Sequence, residues 1–241
     1  MKWSEHRRVT AEICKRFGLE NCLEVTRASI LPDVEPDYYW VYGKRRAYRR
    51  RVPHHDAMAV NYAFNYLKRA RKAFLRGESY AEPLGRALHY LQDYSIDPTE
   101  KIWIFSYRSD SAHDERERIR VDVDESAINE AKSLTCYPHQ FKSVVFQTKR
   151  GKNPGEISYA CSFLTALALK MIVNPDMPEN LTENYNKALA IHAVILLLPW
   201  LILLAFASGA TYFVLSAIAS LLLHYADFYY RRWKTDYEWF S

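Results

Sequence analysis

The chain has 241 residues, 49% of them hydrophobic, and a formal net charge of +5. That length admits one large domain or a domain with an appendage, and the apolar fraction is ample for a buried core. Its four cysteines, Cys14, Cys22, Cys136 and Cys161, have no CxxC spacing and no disulfide density, which excludes a disulfide-stapled scaffold and favours a reducing compartment with the thiols as small buried apolar groups.

In chain order the signals are helical. The opening MKWSEHRRVTAEICKRF lacks the apolar core of a secretory signal, so the charged domain is predicted to stay inside. Ser4 is placed to cap a first helix that carries Val9, Ile13 and Phe17 on one face and ends at Gly18. Residues 57 to 76 repeat that period through Val60, Ala63, Phe64, Leu67 and Phe74, and Gly77 stops them. Pro83 suits the first turn of a helix through Asp93, and Ser111 is placed to cap another across HDERERIRVDVDESAINEAKSL, with Val-Asp-Val-Asp as its weak centre. Asn153-Pro154 opens an apolar helix through Ile157, Ala160, Leu164, Leu167 and Met171. No sustained alternation, βαβ unit or repeat is present, so the fold class expected is all-α: a helical bundle over residues 1–187.

From Ala188 to Ala226 the chain contains no Asp, Glu, Lys or Arg, and the net charge resides in the residues before it. As one helix that run would measure roughly 58 Å, about twice the hydrocarbon thickness, so two spans turning at Ser208-Gly209 are expected. The hairpin is assigned 188–228 and a basic aromatic tail 229–241. In that tail Tyr229, Tyr230 and Trp233 suit the headgroup layer, and Arg231, Arg232 and Lys234 the cytoplasmic face. A hairpin puts both chain ends on one side, predicted to be cytoplasmic. His192 and His224 are expected to pack or bond between the spans, without a metal.

Residues able to bind a metal recur. His89 and Asp93 lie four apart, as do His113 and Glu117; HHD supplies His54 and His55, and LPD supplies Asp33. Imidazole nitrogen and carboxylate oxygen are ordinary zinc ligands, and two residues four apart on a helix reach one ion without bending the backbone.

The order WSEH (3 to 6), ILPD (30 to 33), PHHD (53 to 56), LGRALHYLQD (84 to 93) and AHDERE (112 to 117) resembles the zinc-dependent phospholipase C family, related in fold to fungal zinc nucleases that cut single strands. The resemblance covers residues 3 to 120, and LG-x3-HYLQD is its most specific part. It implies up to three zinc ions in a helical cleft, two being the expected number here. Asp33, one of His54 and His55, His89 and Asp93 would hold one ion, with His55 favoured because it starts the next helix. Asp93 would bridge to a site near His6, and His113 and Glu117 would belong to another ion. In secreted relatives the amino group of an N-terminal Trp binds zinc, whereas Trp3 follows Met1-Lys2. Where the family has a His after the Pro beyond the helical Asp, this chain reads IDPTE, in which Glu100 is the ordinary ligand.

The resemblance implies metal-activated attack of water on phosphorus, with Asp33 as the residue that orients the water or takes its proton. In DYYWVYGKRRAYRRRVPHHD, Arg45, Arg46, Arg49, Arg50 and Arg51 crowd beside Trp40 and several tyrosines just before the ligands. That composition suits an anionic leaflet, and also single-stranded nucleic acid. The hydrophobic hairpin favours the membrane. The expectation is therefore a membrane-anchored zinc phosphoesterase for phospholipids or lipid-linked phosphates. A zinc nuclease, or a noncatalytic metal-stabilised module at the membrane, is the alternative.

Overall fold

The computed structural model describes residues 1–44, 46–102, 105–206 and 210–241, and the side chains of 101, 102, 105, 106, 108, 110, 112, 113, 204, 206 and 210 lie outside the described set. The chain is mostly helical, 69% helix and 7% strand. It divides into two units: Met1–Cys136 with Gln140–Asp176, and Tyr137–His139 with Met177–Ser241. Packing thus moves the boundary from residue 187, where charge ends, to residue 176. The polar stretch beginning at Leu181 is already helical and continuous with the apolar run.

The first unit begins with α1 (Trp3–Arg16), which buries Val9, Ile13 and Cys14. Lys2, not Ser4, is the residue before its first turn, and no side chain caps it. Gly18 takes φ +63° just past its end, a conformation that costs glycine little. Two short helices follow, α2 (Cys22–Ala28) and α3 (Leu31–Val34). The basic aromatic segment then forms a hairpin of β1 (Tyr38–Tyr42) and β2 (Ala47–Arg51), with Trp40 opposite Arg49 and Tyr38 opposite Arg51. The sequence reading expected no strand here; Tyr, Trp and Val favour extended backbone once a partner strand is available.

Asp56 caps α4 (Ala57–Leu75), accepting from the Met58 amide at 2.8 Å. Next come α5 (Ala81–Tyr94), a second hairpin of β3 (Thr99–Ile102) and β4 (Phe105–Arg108), and α6 (Asp110–Glu117). The single helix expected across the Val-Asp-Val-Asp centre is two. α6 contains Ser111 rather than being capped by it, and α7 (Glu125–Ser133) starts anew at Asp124, which accepts from the Ala127 amide at 3.0 Å. β-branched Val121 and Val123 among aspartates gain little from helix, and Val121 is instead buried as extended chain. The unit ends with α8 (Phe141–Gln147) and α9 (Pro154–Val173), whose start Asn153 caps at Glu156.

Helix α5 is the centre: from Leu84 to Tyr94 every residue is buried, against α4, α2 and α9. Such a helix can carry polar groups only if each has a partner. Its His89, Gln92 and Asp93 therefore mark the site.

The second unit comprises α10 (Leu181–Phe206), α11 (Ala210–Ala226) and α12 (Phe228–Phe240). Ser208-Gly209, the expected turn, lies outside the described residues. Among the described residues, two helices are long and apolar enough to cross a membrane. They differ in what covers them: the α9 window is 83% buried in its own unit, whereas that in α10 is only 11% buried. Helix α11 passes the same test only jointly with α12, across a bend of 57°. Its exposed Phe213, Val214, Leu215, Leu221 and Leu222 nonetheless leave an apolar surface that water disfavours.

The hairpin satisfies its own polar groups. Ser216 and Ser220 donate across to the Pro199 and Leu196 carbonyls at 3.0 and 2.8 Å. His192 bonds Asp227 at 2.8 Å and His224 at 3.0 Å, with its ring stacked on Tyr230. Tyr230 and Trp233, expected at the headgroup layer, are instead buried with Leu181 and Ala188, because α12 folds against α10. We expect the chain to resist extraction from membranes by high salt and alkaline carbonate and to be released by detergent; recovery in the alkaline supernatant would contradict the membrane assignment.

Candidate metal centre

Three separate stretches deliver side chains to the cluster on α5. His6 comes from the first turns of α1, Asp33 from α3, and His54 and His55 from the link between β2 and α4. The buried ring of His6 stacks on that of His89, centroids 4.2 Å apart, and His54 meets His89 edge-on at 4.9 Å. Two groups of donors lie with their atoms within 4.8 Å of one another: His6, Asp33 and His89, and His54, His89 and Asp93.

Hydrogen bonds behind the rings decide where their lone pairs point. His89 Nδ1 lies 2.9 Å from the Ser29 carbonyl, which only accepts, so Nδ1 carries the proton. The Gln92 amide nitrogen donates to Thr10 and Thr165 at 2.9 and 3.3 Å, leaving its oxygen to accept from His6 Nδ1 at 2.7 Å. Both rings thus direct Nε2 toward Asp93, and His89 Nε2 also lies 3.2 Å from His54 Nδ1. His6 Nε2 is 3.2 Å from Oδ1, and His89 Nε2 is 3.2 Å from Oδ2. Burial and the neighbouring His89 push the His6 pKa down against the pull of Asp93, which keeps this ring neutral near pH 7.

Two imidazole nitrogens converging on one buried carboxylate make a donor set that a divalent cation can join. His6 Nε2 and His54 Nε2 also have no hydrogen-bond partner among the described residues. Imidazole nitrogens, a carboxylate and ring tautomers fixed from behind together fit a divalent cation.

The α-amine of Met1 also reaches this cluster. It donates to Asp93 Oδ1 at 2.7 Å and to Glu117 Oε1 at 3.1 Å. Burial alone would raise the Asp93 pKa, but the amine, His89 and His6 outweigh it and hold the carboxyl well below its ordinary range. The amine, the largest of these opposing influences, is the principal counter-ion of Asp93. Burial also pushes the amine down, and Asp93 and Glu117 more than reverse it. Glu117, raised by burial but lowered more by His55 and the amine, comes to about 2. The resemblance puts such an amine on an N-terminal Trp, where this chain has Trp3 after Met1-Lys2. Here the Trp3 indole instead donates to Asp33 Oδ2 at 3.0 Å.

Of the residues expected to bind metal, His6, Asp33, His54, His89 and Asp93 converge. His54, rather than the favoured His55, is the histidine beside Asp93, at 2.8 Å. His55 turns to Glu117 at 3.3 Å, and the amine links that pair to Asp93. Glu100 is elsewhere: on β3 its carboxylate accepts from the Tyr107 hydroxyl at 3.1 Å and lies 3.9 Å from Arg116. A hairpin register that pairs Glu100 with Tyr107 leaves the side chain on that ladder. The side chain of His113, on α6, lies outside the described residues.

Sequence reasoning missed Gln92 and Ser29. Gln92 sits inside the quoted HYLQD motif; the Ser29 contact is made by backbone, for which no side-chain signal exists. On the first hairpin Trp40, Arg46, Arg49 and Arg50 are exposed, Arg49 rests over the Tyr38 ring at 4.7 Å, and Arg51 bonds Asp33 at 2.8 Å. Arg45 lies outside the described residues. Comparison of the chain with protein-family models, curated proteins and solved structures returns no match. The family resemblance therefore rests on the motif residues alone.

Proposed function

We propose that the helical unit is a zinc-dependent phosphoesterase whose substrates are phospholipids or lipid-linked phosphates at a membrane surface, with both chain ends on the cytoplasmic side. The observation that carries the metal reading is the convergence of the Nε2 atoms of His6 and His89 on the two oxygens of one buried carboxylate. A zinc ion in such a donor set acts as a Lewis acid: it makes water acidic enough to serve as hydroxide near neutral pH and offsets charge developing on phosphate.

The chain supplies the rest. Ser29 and Gln92 hold the imidazoles in the tautomer that binds metal. Asp33, partly exposed at the edge of the cluster and 3.8 Å from His89 Nε2, is placed to orient water or accept its proton. No protein nucleophile is needed. The exposed Trp40, Tyr42 and Tyr48 with Arg46, Arg49 and Arg50 match an anionic leaflet, where each basic residue contributes about 1 kcal/mol. The apolar hairpin of the second unit supplies a tether, and tethering concentrates lipid phosphate around weak recognition elements.

The test is hydrolysis by the zinc-loaded full chain in detergent. Release of phosphate or a phosphorylated headgroup from anionic vesicles is expected, abolished by chelator and restored by zinc, with little cleavage of single-stranded DNA or RNA. Efficient nucleic-acid cleavage without lipid turnover would replace the substrate class, and no hydrolysis of either would leave a noncatalytic module.

A further inference from the structure

The arginines of the first hairpin are not equivalent. Arg49 and Arg50 extend along an exposed strand, but Arg51, its last residue, donates through Nη2 to Asp33 Oδ1 at 2.8 Å and to the Pro32 carbonyl at 3.2 Å. Asp33 Oδ1 is in turn 3.8 Å from His89 Nε2 and 3.9 Å from His54 Nδ1. One carboxylate oxygen therefore lies between a guanidinium and the histidines of the cluster. The Arg51 side chain is 47% exposed, beside the partly exposed Asp33 at the edge of the cluster.

The placement is held from behind. Asp37, one residue before β1, accepts from the Tyr66 and Tyr90 hydroxyls at 2.6 and 2.8 Å, and its carbonyl accepts from the Val52 amide at 2.9 Å. These bonds tie the base of the hairpin, where Arg51 sits, to α4 and α5.

We propose that Arg51 is the residue that binds the substrate phosphate: its guanidinium takes nonbridging oxygens of a phosphate held at the metal cluster. This rests on the metal reading above and adds the group that recognises the anion. Arginine offers paired N–H donors in a geometry that fits two oxygens of one phosphate. A fixed positive charge beside a divalent cation works against the cation, and Arg51 is tolerable there because it meets Asp33 without substrate and phosphate with it. The two ligands should therefore respond in opposite directions to its loss.

The experiment uses the full chain in detergent, as native protein, Arg51→Gln, Arg51→Lys and, as a control for net charge, Arg120→Gln, whose side chain is exposed beside Asp122. Calorimetry measures zinc affinity first, then binding of inorganic phosphate and of a short-chain soluble phosphodiester to the zinc-loaded protein. Arg51→Gln should weaken phosphate binding about 10- to 100-fold while zinc affinity stays equal or rises. Arg51→Lys should recover only part of the loss, and Arg120→Gln should change neither. A loss in either arm supports the assignment and tells whether free phosphate or its ester is the ligand. Phosphate binding within about twofold of native in both arms, or a parallel fall in zinc affinity, overturns it: the second result would make Arg51 a support for Asp33 alone. Native protein that binds no zinc would overturn the metal reading itself, a failure distinct from either.

Discussion

Asp93→Asn should leave the protein without zinc and cost it stability as well. Each carboxylate oxygen serves two partners: Oδ1 meets the Met1 amine and His6, and Oδ2 meets His54 and His89. An amide replaces one acceptor by a donor and removes the charge. The metal-bound state therefore loses an anionic ligand. Changing a group that only supports a ligand costs about 10- to 100-fold in metal affinity, so loss of Asp93 should exceed about 100-fold. The amine meanwhile loses its principal counter-ion in a buried setting, which costs about 3 kcal/mol. Elemental analysis of protein purified without chelator, together with thermal unfolding, measures both. His89→Ala should lose the metal too. Native protein that is folded, stable and free of metal would remove the basis for the site, and Asp93→Asn with native zinc content would remove Asp93 from it.

The second large effect is expected at a residue with no side chain to offer a metal, Gly85→Ala. A Cβ there would stand 2.4 Å from Ala28 Cβ, 2.6 Å from the Ala28 carbonyl carbon and 2.8 Å from the Ser29 nitrogen. Two of those three atoms are backbone, so no side-chain rotation relieves the clash and α2 must move off α5. Overpacking a core in this way costs about 3 kcal/mol. The displaced segment carries the Ser29 carbonyl that fixes the His89 tautomer at 2.9 Å. Stability and zinc affinity should therefore fall together, although residue 85 has no side chain to bind metal. A melting temperature and zinc affinity both near native would show that the α2–α5 contact does not position the site.

What the sequence determined by itself is local. The apolar period of α4, the stops at Gly18 and Gly77 and the Asn153-Pro154 start of α9 depend on neighbours within a turn or two, and all are visible in a linear string. The His89 and Asp93 pair was legible for the same reason, since four residues along a helix return to one face. The charge-free run was legible because its length has a physical meaning in a bilayer. Where local preference was weak, the string misled. Val-Asp-Val-Asp became the break between α6 and α7, and the charge of residues 44 to 51 hid a strand that forms only opposite its partner.

Tertiary structure decided the identity of each partner. His54 and His55 are adjacent in the chain, and only the path from β2 into α4 turns the first toward Asp93 and the second toward Glu117. Gln92 meets His6 from 86 positions away, and the Met1 amine meets Asp93 from 92. Pairings at that range are set by how buried helices settle against one another, with every polar group on α5 required to find a partner because the helix is buried. A sequence lists the groups that will need partners; only the packed chain determines which ones they obtain.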